Sequence, residues 1–154
     1  MLETPTKPLI RLVDVYKEYR VGAISTLALK KVNFQIHNGE LIAIMGPSGS
    51  GKTTLLNMIG LLDRPSRGKI YFDGVDVSRL DDKALANLRN IKLGFVFQTF
   101  NLVNRLTVFE NVELPLIPRG IPRSLRAKMV MEALAKVGGE ESWLYKKPNQ
   151  LSGG

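Results

Sequence analysis

Alternating polar and apolar positions predict strands in the first third of the chain. Over residues 31–36 every second side chain is apolar, and this period of two is typical of a half-buried strand. The apolar, β-branched residues 9–15 predict an earlier strand. An Asn38-Gly39 pair separates residues 31–36 from the apolar run 41–45, which is a hairpin signal. We therefore expect a small antiparallel sheet that leads into a strand, residues 41–45, buried on both faces.

The rest of the chain mixes helix and hairpin signals. Apolar residues from Leu55 to Ile59 recur at helical spacing, and Asp73-Gly74 predicts a second hairpin. Asp81 or Asp82 can cap a short helix that continues through Leu88. Residues 94–97 predict a further strand. Ser124 can cap a longer helix that Gly138-Gly139 ends, and its apolar face comprises Leu125, Met129, Val130, Ala133, Leu134 and Val137.

Composition excludes several classes of site. The 154 residues contain no cysteine and one histidine, His37, so disulfide frameworks, iron–sulfur clusters and zinc fingers are excluded. No apolar run approaches the roughly 20 residues of a membrane-spanning helix, and Pro5 and Pro8 argue against a secretory signal. The 22 Lys and Arg against 14 Asp and Glu give a net charge of +8. This charge is dispersed, which favours anionic ligands or an anionic membrane face over dedicated nucleic-acid binding.

A phosphate-binding pattern follows the apolar run directly. GPSGSGKT, residues 46–53, has glycines, a lysine and a hydroxyl at the required spacing. Its glycines let backbone N–H groups turn inward toward phosphate oxygens. Lys52 supplies a charge for the β- and γ-phosphates, Thr53 can offer its hydroxyl to Mg²⁺, and the helix that begins there adds the positive end of its dipole. The candidate nucleotide-binding residues are Gly46, Pro47, Ser48, Gly49, Ser50, Gly51, Lys52, Thr53 and Thr54.

Two further motifs follow the loop in a definite order. Gln98 ends a predicted strand, and the sequence closes on Leu151-Ser152-Gly153-Gly154. With them, the chain resembles the nucleotide-binding subunit of an ATP-binding cassette (ABC) transporter from about residue 9 to residue 154. Residues 46–53 match the Walker A motif of that family, Gln98 its Q-loop, and residues 151–154 the start of its signature motif. The segments GFVFQTFNLVNRLTVFENVELPL and KPNQLSGG resemble the branch that energises lipoprotein release, macrolide export and the cell-division complex.

The resemblance implies an α/β fold, the P-loop NTPase fold of ABC ATPases, in incomplete form. Residues 1–98 would hold the antiparallel β subdomain and the first part of the RecA-like core, and residues 99–154 the helical subdomain. The resemblance also implies that Tyr19 stacks on adenine, with Tyr16 as its rival. Gln98 and Thr53 would contact Mg²⁺, and the segment after Gln98 would dock onto a transmembrane permease. In a homodimer closed over two ATP molecules, the γ-phosphate held by the opposite subunit would contact Ser152, Gly153 and Gly154.

The sequence departs from the family pattern beyond the signature. The 154 residues include neither a Walker B aspartate nor the adjacent catalytic glutamate. We therefore expect a chain that binds Mg²⁺ and ATP without hydrolysing ATP, peripheral on the cytoplasmic face of the cell membrane, with no nucleic-acid partner. The alternatives are a soluble cassette ATPase that acts on nucleic acid or ribosomes, a cassette that signals across the membrane, and a nucleotide-binding remnant.

Overall fold

The computed structural model describes residues 7–152, which form two compact units divided between Leu93 and Gly94. The first unit is built on a four-stranded antiparallel sheet in the order β2-β1-β3-β4. Its strands are β1 (Ile10–Val21), β2 (Ile24–Ile36), β3 (Arg67–Phe72) and β4 (Val75–Asp76). The predicted antiparallel sheet is therefore confirmed, with β1 and β2 both longer than the sequence pattern indicates.

The turn between β3 and β4 follows from two residues. Asp73 and Gly74 have φ values of 48° and 77°, and this pair of left-handed residues is what a two-residue hairpin of matching twist requires. Phe72 and Val75 are directly opposite each other on either side of the turn. The second predicted hairpin is confirmed.

Two helices pack with this sheet. They are α1 (Lys52–Ile59) and α2 (Asp82–Lys92), with a short 3-10 turn at Val77–Arg79 between β4 and α2. The Asp81 carboxylate accepts a 2.7 Å hydrogen bond from the backbone N–H of Ala84, so Asp81 is the cap of α2. The centre of the core is fully buried and consists of Leu12, Val15, Met58, Ile70 and Val77.

The second unit is helical. It contains α3 (Val108–Glu113) and α4 (Arg123–Lys136), with 3-10 turns at Leu114–Leu116, Glu141–Trp143 and Pro148–Gln150. Thr107 and Glu110 form a reciprocal capping box at the start of α3. The small core of this unit centres on Val130, Leu134 and Leu144. No helix within residues 7–152 has the length and apolarity to cross a membrane.

Two predicted strands are not strands in the structure. Residues 41–45 and 94–97 belong to none of the described sheets, and Leu41, Met45 and Val96 are almost fully exposed. Asn38-Gly39 does form a turn, but residues 41–45 do not pair back across it. An apolar run becomes a buried strand only when neighbouring strands supply hydrogen-bond partners, and the described residues supply none to either segment.

The start and the apolar face of α4 also differ from expectation. Pro122 occupies the cap position, so Ser124 lies inside the first turn and caps nothing. Only Val130 and Leu134 of the predicted apolar face are buried, whereas Val137 is 79% exposed. Pro122 has φ −56° and ψ 144°, the extended backbone of a cap residue, and the helix begins at Arg123, ahead of the serine.

Candidate nucleotide-binding site

The glycine-rich loop has the backbone of a phosphate cradle. Gly49 and Gly51 have φ values of 79° and 86°, in the left-handed region that glycine adopts without strain. A Cβ atom on residue 51 would lie 2.6 Å from the carbonyl oxygen of Ala28, so a side chain there would collide with β2. The loop therefore needs glycine at this position for both its turn and its close packing.

Positive charge is concentrated where the loop meets the start of α1. α1 begins at Lys52 with no side chain capping its first turn and no acidic residue within that turn, so its first N–H groups are available to an anion. The Lys52 ammonium donates to the Pro47 carbonyl at 2.6 Å and lies 3.4 Å from the Ser50 hydroxyl, which puts its charge at the loop itself. Uncapped N–H groups beside an ammonium suit a polyphosphate.

Tyr19 lies on the same unit as the loop. It is opposite Thr26 of β2, and Gly51 packs against Ala28 two residues further along that strand. The pairing of β1 with β3 ends at Tyr16, so Tyr19 has a neighbouring strand on one side only and is 38% exposed. The rival Tyr16 lies where β1 has neighbours on both sides and is half-buried.

A network that the sequence does not indicate surrounds Tyr19. The Tyr19 hydroxyl donates to Asp63 Oδ2 at 3.0 Å, and Lys17 Nζ donates to Asp63 Oδ1 at 2.6 Å. Lys17 Nζ also lies 4.9 Å from the centroid of the Tyr19 ring. Burial raises the pKa of Asp63, but hydrogen bonds from Lys17, from the Arg64 N–H and from Tyr19 outweigh burial and hold this pKa below its usual 3.8. Asp63 is therefore a carboxylate at neutral pH.

Sequence reasoning missed this network for an identifiable reason. Lys17 and Tyr19 are two residues apart on a strand, and the period of two places them on the same face, so their contact could have been found. Asp63 is 44 residues beyond Tyr19 in the chain, and nothing local connects the two.

The remaining candidate residues lie in the second unit or outside the described residues. Gln98 is exposed in the irregular segment after residues 94–97. Ser152 is exposed and lines a cleft of about 360 Å³ with residues that include Phe100, Asn104 and Asn149. Gly153 and Gly154 lie outside the described residues.

The described part of the chain offers few side chains that could bind a metal ion. Residues 7–152 contain no cluster of three or more His, Asp or Glu side chains that could hold a metal ion. Thr53 has an exposed position in the first turn of α1. Mg²⁺ is commonly held by one or two protein oxygens together with substrate phosphates and waters, so a hydroxyl beside a phosphate cradle fits a nucleotide-bound Mg²⁺.

Comparison with known proteins gives a consistent result. The family model described as ABC transporter matches residues 29–154. An ABC transporter ATP-binding protein of Thermotoga maritima is 50% identical over 96% of this chain and 63% of its own length. The macrolide export ATP-binding/permease protein MacB of Nitrobacter winogradskyi is 44% identical over 97% of this chain and 23% of its own length.

A solved structure agrees in both fold and sequence. The ATP-binding cassette MJ0796, in a dimeric post-hydrolysis state bound to ADP and Pi, superposes with a TM-score of 0.83 at 48% identity. The match covers 94% of this chain and 63% of that chain, so the chain spans less than two thirds of the length of the relatives it matches. With the phosphate loop and the mixed α/β architecture in place, the chain belongs to the ABC transporter ATP-binding domain family.

Proposed function

We propose that the chain binds Mg·ATP at residues 46–54, with Tyr19 as the platform for adenine. The observation that supports this most directly is the uncapped N-terminus of α1, where Lys52 adds its charge to a glycine-lined loop. The polyphosphate is held by backbone N–H groups and Lys52, and the adenine lies against the exposed Tyr19 ring. When bound, Mg²⁺ neutralises phosphate charge, and Thr53 offers it a hydroxyl.

The whole protein, on this proposal, couples ATP to transport. The MacB relatives are named as macrolide export proteins, which supports an exporter or lipoprotein-release role through a transmembrane permease. The dimeric MJ0796 cassette supports a homodimer in which Ser152, Gly153 and Gly154 face the ATP of the opposite subunit. Gln98 would sense Mg²⁺ and the permease together. The site of action is the cytoplasmic face of the membrane.

ATP binding and ATP hydrolysis are separable in this chain. Hydrolysis requires a group that orients the attacking water, and in the family pattern this group is a glutamate next to the Walker B aspartate, neither of which residues 1–154 include. We propose that these residues bind ATP without turning it over.

The test is titration calorimetry with Mg·ATP on wild type and Lys52→Ala. Removing one charge-assisted contact is worth about 1.5–3 kcal/mol, so affinity should fall roughly ten- to 150-fold. Lys128→Ala is the matched control, because this side chain is 73% exposed and pairs with Glu132 on α4. It should bind ATP as wild type does. Equal affinity for Lys52→Ala and wild type would remove the loop from the mechanism.

A phosphate-release assay on the same samples tests the second half of the proposal. We expect no release above background in any of them. Release that disappears in Lys52→Ala would show that these residues do hydrolyse ATP.

A further inference from the structure

The ring of Tyr19 is restrained on one of its faces. Lys17 precedes it by two residues on β1, and the Lys17 ammonium lies 4.9 Å from the ring centroid. That ammonium is itself fixed by two oxygens, Asp63 Oδ1 at 2.6 Å and the Arg64 carbonyl at 2.9 Å, and its side chain is only 13% exposed. With the cation on one face, the opposite face is the one left for a base.

The edge of the ring is restrained as well. The Tyr19 hydroxyl donates to Asp63 Oδ2 at 3.0 Å, while the other carboxylate oxygen receives Lys17. Asp63 thus bridges the two residues. A hydroxyl contact at the tip and a cation over the ring together limit both side-chain torsions of Tyr19.

Asp63 also connects Tyr19 to the phosphate loop. It follows α1 by four residues, and α1 begins at Lys52 and spans about 12 Å. The turn between α1 and Asp63 is well fixed, since the N–H of Leu62 donates to the Asn57 carbonyl at 2.9 Å and Leu61 is buried. One short helix therefore links the loop to the residue that holds the tyrosine.

Building on the proposed ATP site, we infer that Lys17 and Asp63 are positioning residues that hold the Tyr19 ring for adenine at a fixed distance from the phosphate loop. They touch neither base nor phosphate. Their effect is to restrict the ring before ATP arrives, so that binding does not have to order it. Loss of the restraint should weaken recognition of the base and leave recognition of the polyphosphate intact.

Tyr19→Phe is the sharpest perturbation, because it keeps a ring that can stack and removes only the hydroxyl that reaches Asp63. We expect its affinity for Mg·ATP to fall about two- to tenfold, the range for one hydrogen bond. This loss should stay below that of Tyr19→Ala, which removes the platform and costs about five- to 150-fold. Tyr16→Phe makes the same chemical change on a tyrosine outside the network and should bind as wild type does.

Inorganic tripolyphosphate with Mg²⁺ is the second probe, since it carries the phosphates without the base. Tyr19→Phe, Lys17→Met and Asp63→Ala should all bind tripolyphosphate as wild type does and bind ATP more weakly. In a double-mutant cycle, Asp63→Ala should cost less ATP affinity on the Tyr19→Phe background than on wild type, because both changes remove the same contact.

Three outcomes overturn the inference. Unchanged ATP affinity in both Tyr19→Phe and Lys17→Met overturns it, even if Asp63→Ala fails to fold. Equal losses for ATP and tripolyphosphate show that the network only supports the fold, and this too overturns it. A wild-type chain that binds neither probe overturns the proposed ATP site and the inference together. If the wild-type chain binds both probes and Lys52→Ala loses both, the proposed ATP site stands, and unchanged ATP affinity in Tyr19→Phe and Lys17→Met then overturns the inference alone.

Discussion

Replacing Gly51 by alanine should destabilise the chain more than replacing Gly49 by alanine. Both glycines belong to the phosphate loop, and their φ values of 86° and 79° are nearly equal. Alanine in this left-handed region costs about 1–2 kcal/mol, and that penalty is common to both variants. The two positions differ in the space around them.

The difference comes from β2. A Cβ atom on residue 51 would lie 2.6 Å from the Ala28 carbonyl oxygen and 3.2 Å from a methyl group of Leu29, whereas a Cβ atom on residue 49 would meet nothing within 4 Å. The oxygen belongs to the backbone of a paired strand, so relief requires the loop or the strand to move. Such overpacking typically adds about 1–3 kcal/mol. We therefore expect losses of about 2–5 kcal/mol for Gly51→Ala and about 1–2 kcal/mol for Gly49→Ala.

Urea unfolding followed by circular dichroism measures both values, with the slope m compared to verify that the same transition is observed. The Gly49→Ala variant measures the penalty of alanine in the left-handed region alone. The difference between the free energies of unfolding of the two variants therefore gives the cost of the close approach to β2. Equal destabilisation of the two variants would refute the packing of the loop against Ala28.

Two further predictions concern charged pairs. At pH 7 the wild type should be more stable than Asp63→Asn, and this difference should fade as the pH falls below 3.8. The reason is that the pKa of Asp63 is lowered in the folded state, and the carboxylate loses its partners when it is protonated. Urea midpoints between pH 7 and pH 3 measure it, and a difference independent of pH would contradict it. In the second unit, Arg126→Leu should lower the free energy of unfolding by about 3 kcal/mol. The substitution leaves the Glu113 carboxylate without its partner, and the 2.6 Å contact between the two side chains is mostly buried. The double variant Glu113→Leu, Arg126→Leu should recover much of that loss, and a double variant no more stable than the single one would count against this reasoning.

Local signals in the sequence were sufficient wherever a few neighbouring residues decide the conformation. The Asp73-Gly74 hairpin forms as predicted, and Asp81 caps α2 as one of the two predicted candidates, Asp81 and Asp82, because left-handed backbone and capping oxygens act within a few residues. The phosphate loop belongs to the same class, since its glycines and the helix that follows Gly51 are contiguous in the chain. The family could therefore be identified from motifs alone.

Ser124 shows where a local signal was outweighed by its neighbour. Serine is a good cap, but Pro122 two residues earlier already has the extended backbone from which a helix can begin, and the helix starts there. Whether the helix starts after Pro122 or after Ser124 depends on backbone geometry, which the amino-acid sequence does not state directly.

Contacts between distant residues were decided by the tertiary structure. Residues 41–45 and 94–97 have apolar patterns typical of strands, but an apolar pattern does not supply hydrogen-bond partners, and the described residues leave both segments unpaired. The contact of Asp63 with Tyr19 likewise depends on α1 and the turn after it, which bring together groups 44 residues apart. The sequence determined which residues could bind phosphate, because that chemistry is contiguous, whereas only the fold could bring Asp63 to a tyrosine 44 residues away.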